Sequence, residues 1–594
     1  MKLFFVLFVI LLSTPAFASI TNPQMVDKLE AEVVEYGNIE VIGSVSSIQL
    51  NLSIPQEDAY QKIGKFEVSD SNGPCANSCS YKFTYDEFGN KILNIIWKNA
   101  VGNIDYTVKS AVSVSRRYSA EKRLLQDFLK PTDLVQSTDK EIADVASNAR
   151  GSDFEKISYL SKWINENVKY NTVYSDINIP AKKILDLRFG VCKEFSNLLV
   201  SFLRSIGYYS AVTVGYVHPG TVYSGESFLP HGWVEVYSDG GILSDPTWSE
   251  VGYLDATHIK FATFPDSKWT FSSIYSTGFG SFKVNLKNSN VSINLLNYSE
   301  SPVFAAKSSL LETNLWKGYA VLRTDIDSDR CLLTKFDIRS CNSDGADFLK
   351  KLAKDNVTYF CNKKSIFTIF EIPNIQRNMK YNCPITVLFY GSGQETIPLG
   401  LSYNEEGYTR LSVDKTTVSP NEKIEASADS SDIFTSNGDY EYDNAEFYSG
   451  YYDFEVYSYN KGALDQQKIS VVLNKPLDAF IVSNDTAYSG EPLPIIVVVS
   501  NLLRNNQLVT VKFGGEVQSD YIVNSRNFSF NFTPKGKEDD LIQAVVNTSD
   551  FSTSLSRQIT VVEKEDAVST FTDFLSSIFK AVSDFLEWLF GQFK

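Results

Sequence analysis

At 594 residues, with 43% hydrophobic and 21% charged side chains, the chain is long enough for several domains and ordinary in composition for globular protein. A formal net charge of −16 argues against a nucleic-acid partner, since a phosphate backbone requires clustered Lys and Arg. No glycine loop of the kind that cradles nucleotide phosphates is present, and the 13% aromatic content favours β-rich structure.

Residues 1–18 have the pattern of a secretory signal peptide: one basic residue, Lys2, then a short apolar run and Ala16-Phe-Ala18 as the cleavage site. The run is too short for a spanning helix, so the mature protein is expected outside the cytoplasm. Cysteine usage agrees with that address. Cys75 and Cys79 form one close pair, and Cys331, Cys341, Cys361 and Cys383 a second group whose connectivity is open. Cys192 is the odd one left for chemistry. With only 3 His in the chain and no second cysteine pair to match, a zinc site at Cys75 and Cys79 is the poorer reading.

Residues 19–117 alternate apolar and polar between turn signals and are expected to form an N-terminal β-sandwich. Residues 118–285 are expected to form an α+β domain. Ser152-Asp-Phe-Glu155 reads as a capping box that starts a helix, with Ile157, Leu160, Ile164 and Val168 on its buried face. A short helix over 180–188 leads into Gly190. From there Phe195, Leu198, Leu199, Phe202, Leu203 and Ile206 repeat with helical spacing up to Gly207. Cys192 therefore stands at the start of a buried helix, where free N–H groups and the helix dipole favour negative charge. A thiolate there is a candidate nucleophile, and it needs a base and a group to orient that base. A strand follows over 208–217. His231-Gly-Trp-Val-Glu then reads as another strand, Ser238-Asp-Gly-Gly as a turn, and Gly-Ile-Leu-Ser-Asp245 as the returning strand, so a hairpin sets His231 beside Asp245. Of the other histidines, His218 precedes Pro-Gly in a loop and His258 follows Leu254-Asp-Ala-Thr; His231 is the better base. Trp233 and Trp248 are expected to pack around the site. The backbone N–H of Cys192 is a natural donor to an oxyanion, and a second donor is not identifiable.

The blocks Gly190-Val-Cys192-Lys-Glu-Phe, His231-Gly-Trp-Val-Glu and Asp245-Pro-Thr-Trp resemble those of the transglutaminase-like superfamily, over roughly residues 150–260. The resemblance implies a papain-like core, with a Cys on a helix packed against a sheet that carries His and Asp. It also implies acyl transfer through a thioester on protein or peptide substrates, either as a peptidase or amidase or as a cross-linker. Cys192, His231 and Asp245 would be catalytic, and no cofactor or metal is required.

Beyond the core, three β blocks are expected: 286–400, holding the later cysteines, and two immunoglobulin-like domains over 401–475 and 476–562, which share a weak echo between Thr417-Val-Ser-Pro and Thr486-Ala-Tyr-Ser. Asp325-Ile-Asp-Ser-Asp329 opens like a calcium loop but lacks the Gly and Glu such a loop needs, so a polar turn is expected. The Tyr-rich run 440–459 reads as two strands in preference to a sugar platform. Asn-X-Ser/Thr sites such as Asn51 and Asn297 allow glycosylation. Residues 563–594 form an expected amphipathic helix, with Phe571, Phe574, Leu575 and Ile578 on one face, suited to a membrane surface or to self-association. The whole chain reads as multidomain: an α+β papain-like core flanked by β-sandwich domains. The rival from another class is a cell-surface adhesion or scaffold protein that keeps the fold without turnover.

Overall fold

The computed structural model describes residues 20–562, apart from 221–227, 239, 269–270, 344–345, 353–355, 374, 473–478, 485, 500–506, 514–515, 523–526, 535–538 and 548–551. The expected signal peptide (1–18) and C-terminal helix (563–594) lie outside the described residues.

The N-terminal region is one curled sheet of seven strands where a two-sheet sandwich is expected. Its spine is two very long antiparallel strands, Val26–Ser53 and Lys91–Ser115. Their register shifts between Val41 and Val45, where Gly43 takes φ +88°, and such an irregularity lets a long strand bend and close over its own core. Ile39, Ile48, Leu50, Leu93 and Ile95 fill that core at 0% exposure. The sheet is completed from far along the chain. Ser272–Thr277 pairs with residues 47–52, and Lys283–Glu300 with residues 26–42. The boundary expected at 285 therefore falls inside a strand of the N-terminal sheet, and residues 118–268 are an insertion between its strands.

The inserted domain is α+β. Its helices are α1 (Lys140–Ala146), α2 (Asp153–Asn167), α3 (Ala181–Leu187) and α4 (Cys192–Ser205). The expected capping box is present at the start of α2: the Ser152 hydroxyl accepts from the Glu155 N–H, and the Glu155 carboxylate accepts from the Ser152 N–H at 2.7 Å. The strands are β1 (Ser210–Val217), β2 (Leu229–Val236), β3 (Ile242–Asp245), β4 (Glu250–Val251) and β5 (Ile259–Phe264). They lie in the order β5-β1-β2-β3-β4. Helix α4 packs across this sheet. Phe195, Leu198, Leu199, Phe202, Leu203 and Ile206 are at most 2% exposed, each contributing about 1.5–3 kcal/mol by burial.

The sheet continues without a break into the next region. Val251 of β4 pairs with Leu333 of β6 (Gly318–Arg339), and β6 pairs in turn with β7 (Val357–Ile372). Two disulfides settle the open connectivity as Cys331–Cys361, directly opposed across β6 and β7, and Cys341–Cys383. Cys75 and Cys79 form the third. Asp325–Asp329 is not a turn: it lies within β6, at a register shift between Asp327 and Cys331, and its three carboxylates, spaced two residues apart, are all exposed. Further on, Lys423–Thr435 anchors a six-stranded sheet, and the Tyr-rich run forms the two strands expected, Tyr440–Tyr448 and Phe454–Asn460. In the last region a three-stranded and a five-stranded sheet enclose one core of Ile495, Val497, Val509, Val511, Ile542 and Ala544. Among the described residues no helix is long and apolar enough to cross a membrane.

Candidate active site

The local sequence places Cys192 first on α4. Tyr170 and Gly190 pair in a short parallel bridge that delivers the chain to the helix. The Glu194 carboxylate then turns back to accept the Val191 N–H at 3.1 Å. Gly190 is required there, because a Cβ would stand 2.6 Å from Glu194 Cβ. The six other cysteines are in disulfides, and Cys192 is free and half-buried.

Helix α4 is docked on β2 beside His231. The Ser196 hydroxyl donates to the Gly232 carbonyl at 3.0 Å, and a Cβ at position 232 would stand 3.9 Å from Lys193 Cα. The β2–β3 hairpin pairs Ile242 with Val236 and Ser244 with Val234, and this register carries Asp245 to His231. His231 Nε2 donates to Asp245 Oδ2 at 2.8 Å. Asp245 Oδ1 accepts the Thr247 N–H at 2.8 Å, which fixes the carboxylate plane. The Trp248 ring stacks on the imidazole at 4.6 Å and 12°. Trp233 lies on its own strand two residues on, fully buried.

The electrostatics follow from burial against charge. Burial alone would push the His231 imidazolium down; the Asp245 charge and the Cys192 sulfur, both acting by charge and hydrogen bond, outweigh it and hold the group up at about 9. Burial likewise opposes the Asp245 carboxylate, but His231 and His258 hold it well below the usual carboxylate range. His231 is thus joined directly to Asp245 and interacts with Cys192. No contact joins Cys192 to Asp245 among the described residues. Because Nε2 is taken by Asp245, Nδ1 is the nitrogen left for the thiol.

Sequence reasoning set two of the three histidines aside. His218 is buried at the end of β1, where its Nδ1 accepts the Gly220 N–H at 3.1 Å. His258, a loop residue in the sequence, lies buried beside Asp245. It is 0% exposed, with Nε2 3.5 Å from Asp245 Oδ2 and Nδ1 3.5 Å from Asp255 Oδ2. The only signal in the sequence was an acid three residues before a histidine in a loop, which is weak. Two groups, His231–Asp245–His258 and Glu250–Asp255–His258, bring ligand-type atoms within 4.8 Å of one another. Their nitrogens already face carboxylate oxygens at hydrogen-bonding range, so a metal ion at about 2.0–2.2 Å from each atom would have to break the His231–Asp245 bond. The arrangement is one of proton sharing.

Residues 140–251 match the model of the transglutaminase-like superfamily, so this part of the chain is a transglutaminase-like core domain. It is flanked on both sides by β-sheet regions. Among solved structures, a proposed cysteine protease from Cytophaga hutchinsonii is similar over 46% of this chain and 93% of its own, at 17% identity and a TM-score of 0.34. The D1–D4 ectodomain fragment of ICAM-5 is similar over 44% of this chain and 77% of its own, at 9% identity and a TM-score of 0.19. Extracellular domains 3–5 of Drosophila OTK are similar over 43% and 97%, at 7% identity and a TM-score of 0.17. No curated protein matches the chain.

Proposed function

We propose that the protein is a secreted or cell-surface enzyme that transfers acyl groups from protein or peptide substrates through a thioester on Cys192. What supports this reading is the His231 imidazole bonded to the Asp245 carboxylate, with the free Cys192 heading the helix docked on the next residue of its strand. In the first half-reaction the thiolate attacks the carbonyl carbon of a carboxamide or peptide bond. The C–N bond breaks and the amine leaves with a proton from His231. In the second, His231 takes a proton from water or from an amine, whose oxygen or nitrogen attacks the thioester and releases Cys192. Asp245 keeps the imidazole in the tautomer and orientation that both halves need. The backbone N–H of Cys192 is a donor available to the oxyanion. Three disulfides, typical of extracytoplasmic proteins, support the address.

The test is mass-spectrometric. The full chain is incubated with a casein digest at pH 7.5, with and without a biotinylated primary amine. A Cys192 acyl adduct that is released as acid marks a hydrolase; transfer to the amine marks a cross-linker. Cys192→Ala is expected to abolish both, and His231→Ala to slow them by about 10³-fold. Equal product from wild type and Cys192→Ala would leave the non-catalytic scaffold as the better account.

A further inference from the structure

We propose that His258 is a positioning residue for the reaction above: a buried imidazolium, charged at neutral pH, that shares Asp245 Oδ2 with His231. The inference rests on that reading of the site and goes beyond its three residues. Both Asp255 and His258 lie past the segment, 140–251, that matches the family.

The argument is one of donors and acceptors. His258 Nε2 faces Asp245 Oδ2 at 3.5 Å. Its Nδ1 faces the Asp255 carbonyl oxygen at 3.3 Å and Asp255 Oδ2 at 3.5 Å. Every one of these oxygens is an acceptor. A neutral imidazole carries one N–H, so in either tautomer it would turn a lone pair on a buried oxygen. Only the doubly protonated ring satisfies both sides. His231 differs, because its second nitrogen meets a thiol, which can give or take a proton. One histidine is therefore free to cycle while the other is fixed.

The surrounding acids close the charge balance. Asp255 and Glu250 are both 0% exposed, and Asp255 Oδ2 and Glu250 Oε1 have no hydrogen-bond partner. One proton shared between them satisfies both atoms. Burial, with Asp255 and Asp245 adding to it, pushes Glu250 well up, so Glu250 is the one that keeps the proton. The series runs from Glu250, which keeps its proton, through Asp255 and His258 to the Asp245 carboxylate and His231. Burial opposes the His258 charge, but Asp255 and Asp245 hold it up at about 9. Also facing this group are His218, which feels Asp255, and Tyr253, which feels Glu250 and Asp255. The rings of Trp233, Trp248 and His231 box His258 in, at 5.1, 5.7 and 5.9 Å.

The consequence for the reaction is a tuned base. A second cation on Asp245 spends part of its negative charge and repels a proton on His231. It keeps the imidazolium from becoming too stable to release its proton to the leaving amine. Removing the His258 charge should therefore raise the proton affinity of His231.

The test uses histidine-labelled full-length protein. The chain has 3 His, so three imidazole signals are expected and can be assigned with His218→Asn and His258→Gln. The His258 signal should stay at imidazolium shifts from pH 5.5 to 7.5, and Asp255→Asn should bring its titration into that range. In parallel, the rate of Cys192 alkylation by iodoacetate is followed against pH. The anion is drawn by the imidazolium, so the alkaline limb of the rate reports His231. His258→Gln should move that limb up by about one pH unit; a merely structural role would lower the rate and leave the limb in place. A His258 signal that titrates near 6.5 in the wild type, or one that moves on adding zinc alone, overturns the proposal whether or not the variants fold. The outcomes separate the two readings. A fixed His258 cation beside an inert Cys192 would overturn the acyl-transfer reaction, and a reactive Cys192 beside a titrating His258 would overturn the positioning role alone.

Discussion

Asp245 is the residue on which the site turns, because its two oxygens serve three donors: Thr247, His231 and His258. Its replacement by Asn keeps the shape and removes the charge. Acyl transfer by Asp245→Asn should fall by about 10²–10⁴-fold, read as kcat/KM on a glutamine-donor peptide, because the amide no longer selects the right tautomer of His231. The same residues set how stability varies with pH. His231 is held above its ordinary 6.5, at about 9, so its contribution is fully present below 6.5 and is lost as pH rises through about 9. Asp245 is held below its ordinary value, so its contribution is present at neutral pH and lost only in strong acid. Urea midpoints measured from pH 6 to 10 should fall across the alkaline window in the wild type and much less in Asp245→Asn.

At the scale of single elements, the start of α4 and the β2–β3 hairpin were legible because each is written in a short window. Apolar residues at helical spacing run up to Gly207, and alternating strands flank Ser238-Asp-Gly-Gly. The site could be read for the same reason: its Cys, His and Asp each end or begin such an element. His258 was not legible, since its importance comes from two carboxylates that the fold brings to it and not from its neighbours in sequence. The tight entry to α4 predicts that Gly190→Ala destabilises the folded protein by about 1–3 kcal/mol, as a Cβ 2.6 Å from Glu194 forces the first turn to shift. Chemical denaturation would show it. In the N-terminal sheet, Glu35 is 4% exposed with Oε1 unpartnered, and burial pushes its carboxyl up to about 8. The folded state therefore keeps a proton that the unfolded chain gives up, and stability declines as pH rises from 4.5 through about 8. Glu35→Gln should flatten that decline and raise the melting temperature at pH 8.5.

At the scale of the whole molecule, the domains are less separable than a linear reading implies. The sheet of the inserted domain runs into β6 through Val251 and Leu333, two residues from a disulfide. The N-terminal sheet takes its last two strands from beyond the inserted domain. No local pattern announces such a return, because strand pairing across more than two hundred residues leaves each strand looking like any other. A fragment cut at the boundaries expected from sequence, 118–285, would carry Ser272–Thr277 away from its partner and is expected to be insoluble; a fragment spanning 20–400 should be recovered in solution and give a single melting transition. The long return also imposes an order on biosynthesis. The strand Val26–Ser53 leaves the ribosome, and crosses any membrane, some 230 residues before Lys283–Glu300 arrives to cover it. For that interval one of its hydrogen-bonding edges is open, and the inserted α+β domain must fold while its host sheet is still unfinished. A holding chaperone that binds extended apolar strands would meet this chain early and release it late, and the Cys192 helix would be assembled before the scaffold that carries it is closed.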